Sequence, residues 1–123
     1  MKNIFFDSKK TELSPESTVE LNKLIQLLKD NPQLKILITG HTDNVGNSAD
    51  NELLSNGRAE SVIRYILASK LVAKDRLQSK GMGENQPIAS NDTEGNRAQN
   101  RRVEIAISAN EKMKAEAKQE VGQ

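Results

Sequence analysis

The stretch LKILITGHTDNVG, residues 34–46, decides the fold. Its first half places Leu34, Ile36 and Ile38 in a mostly apolar run, which predicts a central strand covered on both faces. Its second half is polar and contains glycine, so it predicts a loop, extending to about residue 50, that is long enough to be functional. Because the strand leads directly into that loop, Asp43 stands where strand ends present side chains to ligands.

Helices and strands alternate around this central strand. Residues 4–6 are apolar and predict a short first strand. A helix is predicted to follow Ser14, because Ser14 suits an N-cap and Pro15 suits the first helical position. Asn31-Pro32 ends that helix. Its apolar face is formed by Leu21, Leu24, Ile25 and Leu28, at the spacing of one side of a helix.

The second half of the chain predicts one long helix and two strands. The helix spans about residues 50–70 and contains Gly57, where a small residue would permit close packing. Residues 75–80 read as a third strand and 84–100 as an irregular polar loop. The last strand spans residues 102–108. We expect Val103, Ile105 and Ile107 to face the core and Arg102 and Glu104 to face out.

The predicted fold class is therefore α/β in the two-layer α+β sense, with the order β-α-β-α-β-β and two main helices packed on a mixed sheet. Residues 1–109 form the predicted domain. Residues 110–123 are charged and nearly free of large apolar side chains, so they predict a helical extension or a disordered tail.

Composition excludes several functions. The 18 basic and 17 acidic residues leave a net charge of +1, and two Phe and one Tyr are the only aromatic residues, so nucleic-acid binding is not expected. Cysteine is absent and His41 is the single histidine, so no transition-metal site and no cofactor are indicated. No apolar run approaches the roughly 20 residues that span a bilayer. The chain opens directly on a strand, as an excised domain with an added Met would.

Asp43 and Arg58 form the most informative pair of charges. Arg58 follows Asp43 by fifteen positions, near the start of the second predicted helix. One anion and one fixed cation, held apart, are suited to a small molecule that carries both an ammonium and a carboxylate. The alternative is a structural ion pair that ties the loop to the helix. An Arg58–Asp43 pair that opens for a ligand would satisfy both interpretations.

The chain resembles the OmpA-like C-terminal domain family over roughly residues 4–108. The order and spacing of the motifs make the resemblance specific, although each short motif alone is weak. The residues that carry it are Phe6-Asp7, Leu13-Ser14, Gly40-His41-Thr42-Asp43, Gly46, Asn51, Leu54-Ser55, Arg58-Ala59, Val62, Arg76, Gly81-Met82-Gly83, Pro87, Asn91 and Asn100-Arg101-Arg102-Val103-Glu104.

The resemblance implies non-covalent binding of peptidoglycan through the meso-diaminopimelate of its stem peptide, without catalysis. It implies that Asp43 takes the ammonium of that residue and Arg58 its carboxylate. Asp7, Asn51 and Arg101 match residues that line the same pocket. Val45 stands where the family often has a threonine, so one side-chain hydrogen bond is lost while the backbone amide remains. A periplasmic location is implied, with attachment to the outer membrane through a parent protein whose anchoring region is absent here.

Other interpretations of the same residues stay open at this stage. His41 and Asp43 could act as acid and base in a small cell-wall hydrolase, although no nucleophile completes the set. Asp43, Asp50 and Glu52 could bind calcium, but they lack the regular spacing of a calcium loop. A module that binds another envelope protein is a further alternative. Three motifs are expected to be structural: His41 as a loop or packing residue, Arg102 paired with Glu104, and Gly81-Met82-Gly83 as a turn or bulge.

Overall fold

The computed structural model describes residues 3–109, so the predicted tail, 110–123, lies outside the described residues. Seven helices and strands follow one another along this part of the chain. They are β1 (Ile4–Phe5), α1 (Pro15–Asp30), β2 (Leu34–Gly40), α2 (Ser48–Ala68), β3 (Leu77–Gly81), α3 (Glu94–Asn100) and β4 (Arg102–Ala109), and a 3-10 turn at Lys74–Arg76 precedes β3.

The three helices pack on a four-stranded open sheet with the strand order β1-β4-β2-β3. β2 pairs parallel with β3 and antiparallel with β4, and β1 pairs antiparallel with β4. The predicted mixed sheet and α+β class are therefore confirmed. The prediction that both faces of β2 are covered is wrong, because α1 and α2 lie on the face of Ile36 and Ile38, whereas Lys35 on the other face is exposed.

The core lies between the sheet and the two long helices. α1 begins after Ser14, whose hydroxyl accepts a hydrogen bond from the amide of Ser17, and Pro15 occupies the first helical position, as predicted. Apolar side chains of α1, α2, β1, β2 and β4 meet in one cluster. Its fully or almost fully buried members include Ile4, Leu21, Leu24, Leu28, Ile36, Ile38, Val62, Ile66 and Val103.

Two glycines bring α2 against the sheet. Gly40 and Gly81 are register partners at the ends of β2 and β3. A side chain at Gly40 would overlap the backbone carbonyl of Ser55, and one at Gly81 would overlap the Ser55 hydroxyl. Gly57 allows α2 to approach the β1–α1 loop, where an added methyl group would lie 3.1 Å from Thr11 Cγ2. These close contacts hold α2 against the ends of β2 and β3, next to the loop that follows β2.

Several predicted boundaries differ from the structure. The region 84–100, predicted as irregular, contains α3, which begins where the Thr93 hydroxyl accepts from the Asn96 amide. This helix was missed because it is short and polar and has no apolar stripe. α2 begins at Ser48 instead of residue 50, because Asn47 is its N-cap. Gly81, predicted to belong to a turn, is the last residue of β3. The chain turns after it, and Gly83 has a positive φ of 59°.

β4 differs from its prediction in the exposure of two side chains. Arg102 was expected to face solvent, but its side chain is buried and donates to the backbone oxygens of Asn100 and Gln86 and to Glu104. The segment after β3 covers this end of the sheet, which a strand pattern alone does not reveal. Ile107 was expected in the core and is 40 % exposed.

Candidate functional site

Asp43 lies in the loop between β2 and α2, where its carboxylate is almost completely buried. Its Oδ1 accepts a hydrogen bond from the Val45 amide at 3.1 Å. Its Oδ2 accepts from Arg101 Nη1 at 3.2 Å, which forms an ion pair between two buried side chains. The loop therefore holds a negative charge in a defined orientation at the end of β2.

Arg58 lies on α2, directly under this loop, and is 0 % exposed. Its guanidinium donates to three backbone carbonyl oxygens, of Lys10, His41 and Asp7, at 2.8, 2.9 and 2.9 Å. Its Cζ also lies 5.3 Å from the centre of the Phe6 ring. Burial lowers the pKa of Arg58 to about 10, although the nearby charge of Asp43 acts in the opposite direction. Arg58 is therefore a buried cation that bridges the β1–α1 loop and the end of β2.

The ion pair between Arg58 and Asp43, considered above as the structural alternative, does not form. Within residues 3–109, no carboxylate lies within ion-pair distance of Arg58. The partner of Asp43 is Arg101, which directly follows α3 and, like Asp43, is buried, with an exposure of 7 %. The sequence could not indicate this choice, because Arg101 is 58 positions from Asp43 and reaches it only through the fold.

Arg101 links the Asp43 loop to β1 and to α3. Its Nε donates to the backbone oxygen of Phe6 at 3.0 Å, and its Nη2 donates to Glu94 Oε1 at 2.7 Å. Burial by itself lowers the pKa of Arg101, but hydrogen bonds to Glu94 and Asp43 outweigh it and the pKa is raised. The same hydrogen bond from Arg101 is the main reason why the pKa of Glu94 is lowered.

Asn51 lies in the first turn of α2, and its side chain contacts Glu84, a residue that the sequence analysis did not predict at the site. Asn51 Nδ2 lies 3.0 Å from Glu84 Oε1 and 3.4 Å from the backbone oxygen of Asp43. Glu84 follows Gly83 after β3, and only the paired strands β2 and β3 bring it beside α2. Glu84 directly follows the Gly81-Met82-Gly83 motif in the sequence, but no spacing rule connected its carboxylate with Asn51.

The other predicted site residues lie at the edge of this cluster. Asp7 is exposed, and the part of it that contacts the cluster is its backbone oxygen, which accepts from Arg58. Val45 is 43 % exposed, and its amide donates to Asp43. The structure thus brings together Asp43, Arg58, Asn51, Asp7, Val45 and Arg101 at one end of the sheet, with Glu84 and Glu94 beside them.

A cleft of about 450 Å³ adjoins this cluster on the side of β1 and α3. Phe6, Asp7, Ala98 and Arg101 contribute to its walls. Asp43 does not line it, so the cleft meets the charged cluster at Arg101, whose guanidinium contacts Asp43. An extended ligand bound at the cluster would therefore have an open path along the surface next to Arg101.

His41 lies on the opposite face of the sheet from the core. Its ring is fully buried, and its Nε2 is 3.3 Å from Glu104 Oε1, but neither ring nitrogen is aligned for a hydrogen bond. Burial is the largest effect that lowers the pKa of His41, and Arg102 adds to it. His41 is a packing residue, as predicted, and the predicted Arg102–Glu104 ion pair is present at 3.0 Å.

Two negative findings apply to residues 3–109. No three His, Asp or Glu side chains in this range come together as a metal site would require, so the considered calcium set of Asp43, Asp50 and Glu52 is not assembled there. Across the same range, every helix is too short or too polar to cross a bilayer.

A family model described as the OmpA family matches residues 5–101. Outer membrane protein A of Bordetella avium is 42 % identical over 108 residues, which cover 88 % of this chain and 55 % of that protein. Peptidoglycan-binding protein ArfA of Mycobacterium tuberculosis is 40 % identical over 105 residues, which cover 85 % of this chain and 32 % of that protein. The chain thus spans between a third and somewhat over half of the length of these relatives.

Solved structures share the fold. The peptidoglycan-associated lipoprotein of Burkholderia pseudomallei superposes with a TM-score of 0.82 at 32 % identity, over 88 % of this chain and 91 % of that one. The C-terminal domain of Helicobacter pylori MotB has a TM-score of 0.82 over 99 % and 95 % of the two chains. At 20 % identity the second similarity concerns the fold alone.

Proposed function

This chain belongs to the OmpA family, and we propose that it binds peptidoglycan without catalysis, through the meso-diaminopimelate of the stem peptide. In this role it anchors a parent envelope protein, and with it the outer membrane, to the cell wall. Association with peptidoglycan in the envelope is supported by a relative that is itself named a peptidoglycan-binding protein and by a structural neighbour named a peptidoglycan-associated lipoprotein.

The single observation that carries the proposal is the environment of Arg58. A buried guanidinium usually has a carboxylate partner, because leaving a charge unpaired in the interior is costly. Among the described residues, the guanidinium of Arg58 donates hydrogen bonds only to neutral carbonyl oxygens, and its one further contact is the Phe6 ring. Its charge is available for an anion that the protein does not itself provide, and a carboxylate of the ligand is suited to that role.

Arg76 provides an informative contrast. It also donates to three backbone oxygens, of Leu28, Asn31 and Leu34, at 2.7 to 2.9 Å. Two of these carbonyls, however, belong to the C-terminal end of α1, where the helix dipole favours a cation, and Arg76 is partly exposed to solvent. The charge of Arg76 is therefore compensated by a helix end and by solvent, whereas that of Arg58 is fully buried and has no carboxylate within ion-pair distance among the described residues.

We assign the two charged ends of diaminopimelate to Asp43 and Arg58. An ammonium donates three hydrogen bonds, and Asp43 retains acceptor capacity because each of its oxygens accepts only one hydrogen bond in the free protein. Arg58 retains two of its five N–H donors, one on each terminal nitrogen. Arg58 is fully buried in the free protein, so in this proposal a segment that covers it must move to admit the ligand's carboxylate. The exposed Asp7, whose backbone oxygen accepts from Arg58, belongs to that cover.

The remaining site residues have supporting roles in this proposal. Arg101 holds the Asp43 carboxylate in position and lies between it and the neighbouring cleft. The Val45 amide orients Asp43, so replacement of a threonine by valine removes a hydroxyl without disturbing that contact. Asn51 lies beside Asp43, and the backbone of Asp7 lies beside Arg58.

The proposal predicts discrimination between wall types. A stem peptide with lysine has the ammonium but lacks the second carboxylate, so Arg58 would stay without an anionic partner in that complex. Removing one charge-assisted hydrogen-bonding partner typically costs about 1.5–3 kcal/mol, which corresponds to a roughly 10- to 100-fold weaker affinity.

An NMR titration of the isotope-labelled domain tests the function. The ligand is the tripeptide L-Ala-γ-D-Glu-meso-diaminopimelate, and the same tripeptide with lysine is titrated in parallel. The expected result is a set of shifts at Thr42–Gly46, at Arg58 and at Arg101 with the first ligand and much weaker shifts with the second. Absence of shifts with both ligands, or equal affinity for both, would overturn the proposal.

A further inference from the structure

We infer that Glu84 orients the side chain of Asn51 so that Asn51 Oδ1 accepts a hydrogen bond from the ligand's ammonium. Glu84 is then a positioning residue that makes the site selective for a free, protonated amine. This inference rests on the proposed function, because it concerns the ammonium end of the same ligand.

The orientation of the Asn51 amide follows from its hydrogen bonds. Nδ2 has two protons and two acceptors, Glu84 Oε1 at 3.0 Å and the backbone oxygen of Asp43 at 3.4 Å. Both acceptors lack a proton to donate, since one is a carboxylate and the other a carbonyl. The amide nitrogen must therefore face them, and the amide oxygen points elsewhere.

The free oxygen of Asn51 lies beside the loop that carries Asp43. A methyl group built on Gly46 would be 3.9 Å from Asn51 Oδ1, which is ordinary contact distance. Among the described residues no donor bonds to this oxygen. The Asn51 side chain is almost completely buried, yet Oδ1 is not among the fully enclosed atoms without a partner. It is an acceptor in a sheltered position that still reaches the surface.

The backbone fixes Glu84 at this position. Gly83 donates its amide to the Ser55 hydroxyl at 2.9 Å, and its carbonyl accepts from the Thr42 amide at 2.9 Å. Gly83 adopts a φ of 59° and packs against the backbone of α2 at Asn51 and Glu52. One residue thus connects the loop after β3 with α2 and with the Asp43 loop, so Glu84 is carried by a rigid support.

These groups match the chemistry of an ammonium. Three N–H donors require three acceptors, and in this inference they are the Asp43 carboxylate, Asn51 Oδ1 and the second oxygen of Glu84. The negative charge of Glu84 also favours a cation. An N-acetylated amine offers one N–H, has no charge and is larger, so it satisfies this set poorly. The site therefore has a physical reason to reject ligands whose amine is modified.

The test compares two ligands on two proteins. The ligands are the diaminopimelate tripeptide and the same tripeptide acetylated on its side-chain amine, and the proteins are the wild type and Glu84→Gln. The glutamine has the same shape, but it removes the charge. Because its amide can either accept from Asn51 Nδ2 or donate to Asn51 Oδ1, it no longer fixes the orientation of the Asn51 amide. The expected result is about a tenfold loss of affinity for the free amine, with little change for the acetylated ligand.

Glu52→Gln is the matched control. Glu52 is exposed, adjoins Asn51 on α2 and carries the same charge, but no hydrogen bond links its side chain to Asn51 among the described residues. It should leave the ratio of the two affinities unchanged. An equal drop for Glu52→Gln would assign the effect to general electrostatics and would overturn the role of Glu84.

The outcomes separate the inference from the function on which it rests. If the wild type binds the free amine and Glu84→Gln has the same selectivity, the inference is wrong and the function stands. If the wild type binds neither ligand, the function itself is wrong. NMR spectra of the wild type provide a second measurement. The side-chain amide signals of Asn51 should shift with the free-amine tripeptide and not with the acetylated one. A shift with the acetylated tripeptide alone would also overturn the inference.

Discussion

Asp43 forms its ion pair with Arg101, at 3.2 Å between Oδ2 and Nη1, and not with Arg58, the cation nearest to it on the neighbouring helix. Both arginines are buried at the same end of the sheet, but they differ in their partners. Arg101 contacts two carboxylates, Asp43 and Glu94, whereas Arg58 contacts three backbone carbonyls. Within residues 3–109, the free protein therefore pairs the Arg101 guanidinium with carboxylates, whereas that of Arg58 donates hydrogen bonds to neutral carbonyls only. The proposed ligand role of Arg58 rests on this difference.

Asp43→Asn tests the anionic half of the site. The amide keeps the size of the carboxylate and still accepts from the Val45 amide, but it loses the charge that attracts the ammonium and pairs with Arg101. We expect affinity for the diaminopimelate tripeptide to fall by roughly 10- to 100-fold. Isothermal titration calorimetry measures the loss, and a thermal melt checks folding. Unchanged affinity in a folded variant would remove Asp43 from the site.

Arg58→Lys tests the cationic half against a control elsewhere in the fold. Lysine keeps the charge but has no planar fork, so it cannot hold several backbone oxygens and a carboxylate together. Arg76→Lys makes the same chemical change at a residue that also holds three carbonyls and lies outside the site. Both variants should lose stability, as measured by urea unfolding.

Only Arg58→Lys should also lose binding to diaminopimelate-type sacculi in a co-sedimentation assay. Comparable loss by Arg76→Lys would mean that destabilisation explains the effect. Retained binding by both variants would assign the ligand's carboxylate to a different group, with Arg101 as the first candidate.

The buried His41 predicts a pH dependence of stability. Burial and Arg102 lower its pKa below the ordinary value of 6.5, so between the two values the unfolded chain binds more protons than the folded one. The contribution of His41 to stability is therefore complete above about pH 6.5 and is lost as the pH falls below it. The urea midpoint of the wild type should therefore be lower at pH 5.5 than at pH 7.5.

His41→Gln removes this titration and serves as the comparison for the pH series. Its midpoint should change less between the two pH values, whatever its absolute stability. Glu104, Arg102 and Lys80 surround the same ring and are unchanged in the variant, so their effects cancel in the difference. Parallel curves for the two proteins would rule out His41 as the source of the pH dependence.

Gly40→Ala tests the close packing that places α2 under the site. The added methyl group would overlap the carbonyl of Ser55, so α2 must move away from β2. Overpacking of this kind typically costs about 1–3 kcal/mol and occasionally more. Gly95→Ala is the matched control, because no atom lies within 4 Å of its added methyl group and it lies in α3. That variant should gain up to about 1 kcal/mol.

Urea unfolding followed by circular dichroism measures both glycine variants under the same conditions. A loss for Gly40→Ala together with a gain for Gly95→Ala would support the geometry. Equal small effects at the two positions would contradict the contact between Gly40 and Ser55.

Much of the fold follows from local features of the sequence. Ser14 and Pro15 begin α1 as predicted, because capping and a fixed φ act within one turn. The mostly apolar run at residues 34–39 identified the central strand, although it did not reveal that only one face of the strand is covered by helices. The ordered motifs identified the family, and the match over residues 5–101 confirms it. α3 escaped detection because a short polar helix has no apolar periodicity to recognise.

The sequence by itself determined the four strands and two long helices, the family and most residues of the candidate site, because these depend on neighbouring positions or on ordered motifs. Only the tertiary structure decided which charges meet. Arg101 reaches Asp43 across 58 positions, and Glu84 reaches Asn51 across 33. The burial of Arg102 likewise depends on a segment 16 positions away. The physical reason is that an ion pair needs contact within a few ångströms, which chain spacing does not specify until strands pair and helices pack.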